Sequence, residues 1–161
     1  MAARRRIESA TLYLNVDVEV VSRSPLTSLV SALGRSVFVL YAGPISGGHG
    51  AYFQLASSHG RSADFTVKRL ATLISRLPAS ERKVWRLARS RTFDLGIQGG
   101  LLPRSHQLAI SPGALAQLGR LNAQLVCTTY GARTPPTFRP PRVLRPVPPN
   151  NALQRTRYAR R

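Results

Sequence analysis

The sequence predicts an α+β domain in which a mainly antiparallel sheet carries its helices on one face and consists of two related strand–helix–strand halves. Two observations support this: a helix-start pattern occurs twice, and runs with strand periodicity flank each copy. Ser24-Pro25 and Ser111-Pro112 lie 87 residues apart, and each opens a helical stretch that ends in Leu-Gly-Arg. Serine is a favoured N-cap, proline is favoured at the first helical position, and glycine is favoured just past the last one. We therefore expect residues 24–41 and 111–130 to form equivalent structures on the same sheet face.

The first half begins with a strand at 12–21, where apolar residues recur with the period of two that one buried sheet face requires. Residues 37–41 are almost continuously apolar, so we expect a central strand there. A strand at 51–57 pairs with it as a hairpin, and the glycine-rich residues 43–50 form the longer connecting loop.

The second half contains two consecutive helical patterns, at 62–77 and 80–90. Three strands are predicted around the second Ser-Pro helix, at 92–98, 107–110 and 124–130. The predicted order is βαββααββαβ, with six strands and about four helices.

Composition divides the chain into a basic arm (1–6), a single domain (7–131) and a terminal segment (132–161). From Gly131 onward the sequence has seven prolines, eight arginines and no acid, a composition that predicts disorder. Residues 149–157 are similar to a peptide that ends many unrelated bacterial proteins and resembles translated repeat DNA.

The net charge of +18 would ordinarily indicate a nucleic-acid partner. However, 22 of the 24 basic residues are arginine, which together with abundant Pro, Ala and Gly fits GC-rich coding. More than half of the excess lies in the two terminal segments. No apolar run is long enough for a transmembrane helix, and no signal peptide is recognisable. The single cysteine, Cys127, fits a reducing cytoplasm, and we expect it to be buried and inert.

The loop at 43–50 is the most suggestive place for chemistry. It lacks the Lys-Ser/Thr ending of a phosphate-binding loop, and Pro44 stands where a nucleophile elbow built on Ser46 would need glycine. We therefore expect Ser46 and His49 to contact a partner, with a hydrolase using this loop as an alternative. The histidines lack helical i, i+4 spacing, so neither a metal nor a cofactor is expected.

Two groups of charged residues carry further hypotheses. Asp17 and Glu19 share one strand face, and Asp94 is placed on a neighbouring strand; such carboxylates bind cations or act as acid and base, but a solvated face that pairs with arginines is favoured. The second group is a basic ridge at Arg82–Arg91, which comprises Arg82, Lys83, Arg86, Arg89 and Arg91. Within it, Arg82, Arg86 and Arg89 fall at i, i+4 and i+7. This ridge is either a solvated helix face, which we favour, or a track for a phosphate backbone.

The second Ser-Pro copy also carries a family resemblance. Ile110-Ser111-Pro112, a leucine-spaced helix, and a strand ending at Tyr130 resemble the end of a family of small bacterial α+β domains of unknown function, as does the strand at 93–97. The resemblance covers residues 80–131, and the first half lacks the tryptophan-bearing segment of that family. It implies a binding role of the immunity or accessory type, without catalytic residues to carry over.

These observations together predict a cytoplasmic, non-enzymatic interaction module that binds an unidentified protein. The alternative to protein binding is weak, non-specific nucleic-acid binding through the arginine ridge and the basic tail.

Truncation after Gly131 should leave stability unchanged, because residues 132–161 have no apolar periodicity with which to join a core. Thermal unfolding of residues 1–131 and of the full chain provides the measurement. A decrease in Tm of more than about 4 °C, roughly 1 kcal/mol for a domain of this size, would contradict the prediction.

Overall fold

The computed structural model describes residues 10–100 and 106–131, which form one sheet and four α-helices. The basic arm, the terminal segment 132–161 and their predicted disorder lie outside the described residues. In chain order the elements are β1 (Leu12–Ser22), α1 (Thr27–Leu33), a 3₁₀ turn (Gly34–Ser36), β2 (Val37–Ile45), β3 (Gly48–Leu55), α2 (Ala63–Ser75), α3 (Ala79–Leu87), β4 (Ser90–Gln98), α4 (Pro112–Arg120) and β5 (Gln124–Tyr130).

The five strands lie in the order β2-β3-β1-β4-β5, and only the β4–β5 pair is parallel. β1 and β2 also run in the same direction, because each is antiparallel to β3 between them. Each half is therefore a strand–helix–strand crossover, β1-α1-β2 and β4-α4-β5. The mainly antiparallel α+β class is confirmed.

The core lies between one face of the sheet and all four helices. Val16, Val18 and Val20 alternate along β1 and are fully buried at the centre of the sheet. Phe53 on β3 and Phe93 on β4 extend this stripe to either side, and the buried residues of the helices belong to the same apolar cluster. The helices thus cover one face, as expected, and the other face has no helix over it among the described residues.

Two strand predictions are wrong. Residues 107–110, predicted as a strand, have no regular secondary structure, so the sheet has five strands rather than six. The apolar run at 37–41 belongs to β2, which is an edge strand and not a central one. The central position belongs to β1, whose strict alternation buries one row of valines and leaves the polar row outside.

The two Ser-Pro copies differ at their helix ends. In the second, Ser111 is the N-cap: its side chain accepts a hydrogen bond from the Ala114 N–H, and Pro112 occupies the first turn. In the first, α1 begins later, after Leu26, and no side chain caps it. Gly34 ends α1 with a φ of 57°, whereas Gly119 lies inside α4 and Asn122 adopts the positive φ instead.

Asp64 connects α2 to the start of α4. Its carboxylate forms an ion pair with Lys68 at 2.7 Å and accepts a hydrogen bond from the Ser111 N–H at 2.8 Å. These two interactions lower the pKa of Asp64 to about 2. No helix among the described residues is long and apolar enough to cross a membrane.

The two Leu-Gly-Arg motifs should respond oppositely to alanine. Gly119→Ala should raise the free energy of unfolding by about 0.5–1 kcal/mol, because the position is helical and no atom lies within 4 Å of the added Cβ. Gly34→Ala should lower it by about 1–2 kcal/mol, because the left-handed conformation strains any Cβ. Urea denaturation of both variants measures this difference. Destabilisation by both would mean that Gly119 also ends its helix.

Candidate functional site

The uncovered face of the sheet carries a row of side chains that crosses all five strands. Asp17 on the central strand lies directly opposite Gln54 of β3 on one side and Asp94 of β4 on the other. Phe38 extends the row onto β2, and Val126 extends it onto β5. Paired residues on adjacent strands project to the same face, so the two aspartates are immediate neighbours. We call this surface, with Glu19, the open face.

Hydrogen bonds fix the polar centre of the open face. The Asn15 Nδ2 donates to Asp17 Oδ1 at 2.8 Å and to Gln54 Oε1 at 2.9 Å. Gly96 allows this arrangement, since a Cβ there would lie 2.7 Å from the Asn15 Oδ1. The Asn15 amide therefore holds the Asp17 carboxylate in one orientation.

The carboxylates of Asp17, Glu19 and Asp94 are crowded and not neutralised by the described part of the chain. Burial raises the pKa of Asp17, although the hydrogen bond from Asn15 lowers it in part, and the negative charge of Asp94 raises it further. Burial also raises the pKa of Glu19, followed by repulsion from Asp94 and Asp17. The single ion pair among residues 10–100 and 106–131 lies elsewhere. The expected pairing of these acids with arginines is therefore not found there.

Asp94 has an oxygen that lacks a partner. Its Oδ2 accepts a hydrogen bond from the Thr128 hydroxyl at 2.8 Å, whereas its Oδ1 is buried and accepts none from the described residues. A buried carboxylate oxygen without a donor costs free energy. This atom is enclosed by the protein, so its missing partner adds to the free-energy cost of holding the Asp94 carboxylate in this position.

Exposed apolar side chains border the carboxylates. Phe38 is 58% exposed, and Tyr41 and Tyr52 pack ring against ring with centroids 5.7 Å apart. Tyr130, 48% exposed, is at the end of β5 on the opposite edge. β2 carries no charged residue, although edge strands are commonly protected by charge. The open face thus combines an acidic centre with aromatic margins.

The Gly43–Gly50 segment is not the long loop that the sequence predicts. β2 and β3 extend through most of it, leaving a connection of two residues, Ser46 and Gly47. Gly48 lies close to the backbone at the end of β1, since a Cβ at this position would lie 2.3 Å from the Ser22 carbonyl oxygen. Ser46 is thus in a tight turn and His49 in the following strand, and no hydrogen bond joins their side chains.

The arginine ridge is only partly formed. Arg82 and Arg86 line one cleft on α3 together with Arg91 and Arg120. Arg89 does not join them, because α3 ends at Leu87 and the Arg89 Nη1 donates to the Gly47 carbonyl oxygen at 3.1 Å. The structure thus brings Arg89 to the turn that contains Ser46.

One contributor to this cleft, Arg120, was missed from the sequence, whereas Arg91 was part of the predicted ridge but joins the cleft from a strand. Arg91 is on β4 and Arg120 ends α4, and only packing of these elements brings them to α3. The sequence feature that could have indicated Arg120 is its place as the last residue of the second Leu-Gly-Arg motif.

The described residues form no site arranged for metal binding or for thiol chemistry. No three His, Cys, Asp or Glu side chains converge there in a way that could hold a metal ion. Cys127 is exposed, so the prediction of a buried thiol is wrong. It pairs with Leu95 at the edge strand β5, whose helix-side face is incompletely covered.

Comparisons with protein-family models, curated proteins and solved structures find no match to this chain.

Removal of the Asp94 charge should lower the pKa values of Asp17 and Glu19, because Asp94 repels both carboxylates. A carboxyl group whose folded pKa is raised binds its proton more readily in the folded state. At neutral pH such a group destabilises the folded protein. This destabilisation is relieved as the pH falls through the raised pKa toward about 4, the ordinary pKa of a carboxyl group. In Asp94→Asn, this pH-dependent gain in stability should be smaller, and NMR titration should report lower pKa values.

Glu81→Gln is the matched control, since it removes one negative charge from α3 on the other side of the sheet. The prediction is wrong if both variants leave the pKa values of Asp17 and Glu19 unchanged.

Proposed function

We propose that this chain is a non-enzymatic interaction module whose open face binds an arginine- or lysine-rich segment of a partner protein. The observation that carries the proposal is the row centred on Asp17 and Asp94, in which two carboxylates stand side by side on an uncovered sheet face. Like charges this close destabilise the free protein. A cationic partner relieves that repulsion, which gives binding a source of free energy.

The hydrogen-bonding chemistry favours a guanidinium or ammonium group. The carboxylates of Asp17 and Glu19 are only partly buried, and each can accept several more hydrogen bonds. Arginine supplies five donors in a planar fork and binds carboxylates through two bonds at once. A phosphate backbone would meet repulsion here, so a nucleic acid is disfavoured on the open face.

The aromatic margins extend the same preference. Guanidinium groups stack on aromatic rings, and Phe38, Tyr41 and Tyr52 are within one or two strands of the acidic centre. Exposed apolar side chains rimmed by polar residues are typical of protein-binding surfaces. A partner segment that alternates basic and apolar residues would therefore fit both parts of the open face.

The resemblance of residues 80–131 to immunity-type domains supports a binding role as well. The local arrangement at Ser46 and His49 supports the non-enzymatic part of the proposal, because their side chains form no hydrogen bond that would activate the hydroxyl.

Binding of a synthetic peptide with alternating Arg and Val tests the proposal. The full chain should bind it, with NMR shifts centred on β1 and β4, and an equivalent Glu-Val peptide should not bind. The Asp17→Asn/Glu19→Gln double variant should lose at least tenfold in affinity, about 1.4 kcal/mol, because two of three carboxylates are neutralised. Glu81→Gln combined with Asp64→Asn removes the same charge away from the open face and should retain the affinity.

Equal loss in both double variants would contradict the proposal, because it would indicate attraction to net charge alone. So would shifts in the resonances of segment 132–161 when Asp17 and Glu19 are substituted without peptide. That result would mean that the chain's own arginines occupy the open face.

A further inference from the structure

A cleft of about 550 Å³ on the helical side of the protein is lined by four arginines and no acidic residue. Arg82 and Arg86 come from α3, Arg91 from β4 and Arg120 from the end of α4. None of the four forms an ion pair within residues 10–100 and 106–131, where the one salt bridge joins Lys68 and Asp64. The cleft is thus a concentrated positive charge in a concave surface of the size typical of small-molecule sites.

Arg91 is held in place without being neutralised. Its Nη1 donates to the carbonyl oxygens of Trp85, Arg86 and Ala88, and its Nε donates to that of Asn122, at 2.9–3.0 Å. These neutral acceptors fix the plane of the guanidinium and leave its charge in the cleft. Its second terminal nitrogen donates no hydrogen bond to the described residues.

The other three arginines line the same cleft as this fixed charge. Arg86 and Arg120 are in the last turns of their helices, where the helix dipole favours a cation. That effect does not account for Arg82, which is one turn earlier on α3 and adjacent to Arg86 at i, i+4. Like charges at this spacing repel one another. An anion that carries several charges would therefore stabilise the cluster.

The walls of the cleft distinguish between anionic ligands. Trp85 is only 2% exposed, and its indole N–H donates to the Leu121 carbonyl oxygen at 3.0 Å, so the ring is not available for stacking on a base. Arg89, which would extend the charge along α3, is held at the hairpin turn instead. A concave, short site without a stacking ring suits a compact anion better than a nucleic-acid strand.

We propose that this cleft binds a small ligand with two or more linked phosphate groups. Arg91 provides a preoriented guanidinium, and Arg82, Arg86 and Arg120 close on the remaining phosphate oxygens with charge-assisted hydrogen bonds. The chemistry is shared by inorganic polyphosphates and by the phosphate tail of a nucleoside triphosphate. The site is independent of the proposed binding of a basic segment on the open face.

Titration calorimetry of the full chain with sodium tripolyphosphate, ATP and inorganic monophosphate tests this inference at constant ionic strength. Tripolyphosphate should bind at least tenfold more tightly than monophosphate. Equal affinity for ATP and tripolyphosphate would assign recognition to the phosphates alone, whereas tighter binding of ATP would assign a contribution to the nucleoside; either result supports the proposal.

The Arg82→Gln/Arg120→Gln double variant should lose at least tenfold in tripolyphosphate affinity, and Arg35→Gln/Arg69→Gln, with the same loss of charge outside the cleft, should lose less than twofold. Arg91 is left unchanged because it holds the end of α3. Thermal unfolding establishes that both variants are folded. Equal losses would overturn the inference, as would a single-stranded oligonucleotide that displaces tripolyphosphate and depends on Arg82 and Arg120 to the same extent.

Discussion

Burial of the valine row on β1 is the constraint on which the rest of the molecule depends. Val16, Val18 and Val20 are fully buried at the centre of the sheet, and burial of each such side chain contributes about 1.5–3 kcal/mol. Because side chains alternate along a strand, this row fixes Asp17 and Glu19 on the opposite face. The register of β4 then places Asp94 beside Asp17. The acidic centre of the open face is therefore a direct consequence of how the core is formed.

The position of the helices determines what becomes of that face. All four pack on the valine side, and Asp64 joins α2 to the start of α4 by accepting a hydrogen bond from the Ser111 N–H. No described element is left to cover the other side. A sheet face with carboxylates at its centre and Phe38 at its margin is thus exposed by topology. Its aromatic and acidic composition, rather than exposure alone, is the argument for a partner.

Residue periodicity was sufficient to predict much of the fold. It failed where the burial of a strand depends on which other strands lie beside it. The alternation in β1 and the Ser111-Pro112 helix start were predicted correctly, because each depends on local chemistry. β2 was assigned to the centre since its apolar run resembles a buried strand, yet Phe38 is exposed at an edge. Cys127 was misplaced for the same reason. An apolar run carries no information about which strands will flank it.

The charged surfaces show the same division. Asp17 and Glu19 were assigned to one face from spacing alone, but their closeness to Asp94 depends on the register between β1 and β4. Arg82 and Arg86 were grouped correctly by helical spacing, whereas the contribution of Arg120 depends on how α4 packs near α3. Helix length separated Arg89 from the group, because α3 ends at Leu87 and the spacing rule applies only within a helix.

The two surfaces that result have opposite charge and lie on opposite sides of one sheet. A strongly basic chain would be expected to show one positive field, yet three of its six acidic residues are gathered on the open face. The sheet itself lies between this face and the arginine cleft. Coupling between the two surfaces would therefore require a shift of β4, since it alone contributes both Asp94 and Arg91. Because β4 is paired along its length on both sides, such a shift would disrupt the sheet, and the two surfaces should bind their ligands independently.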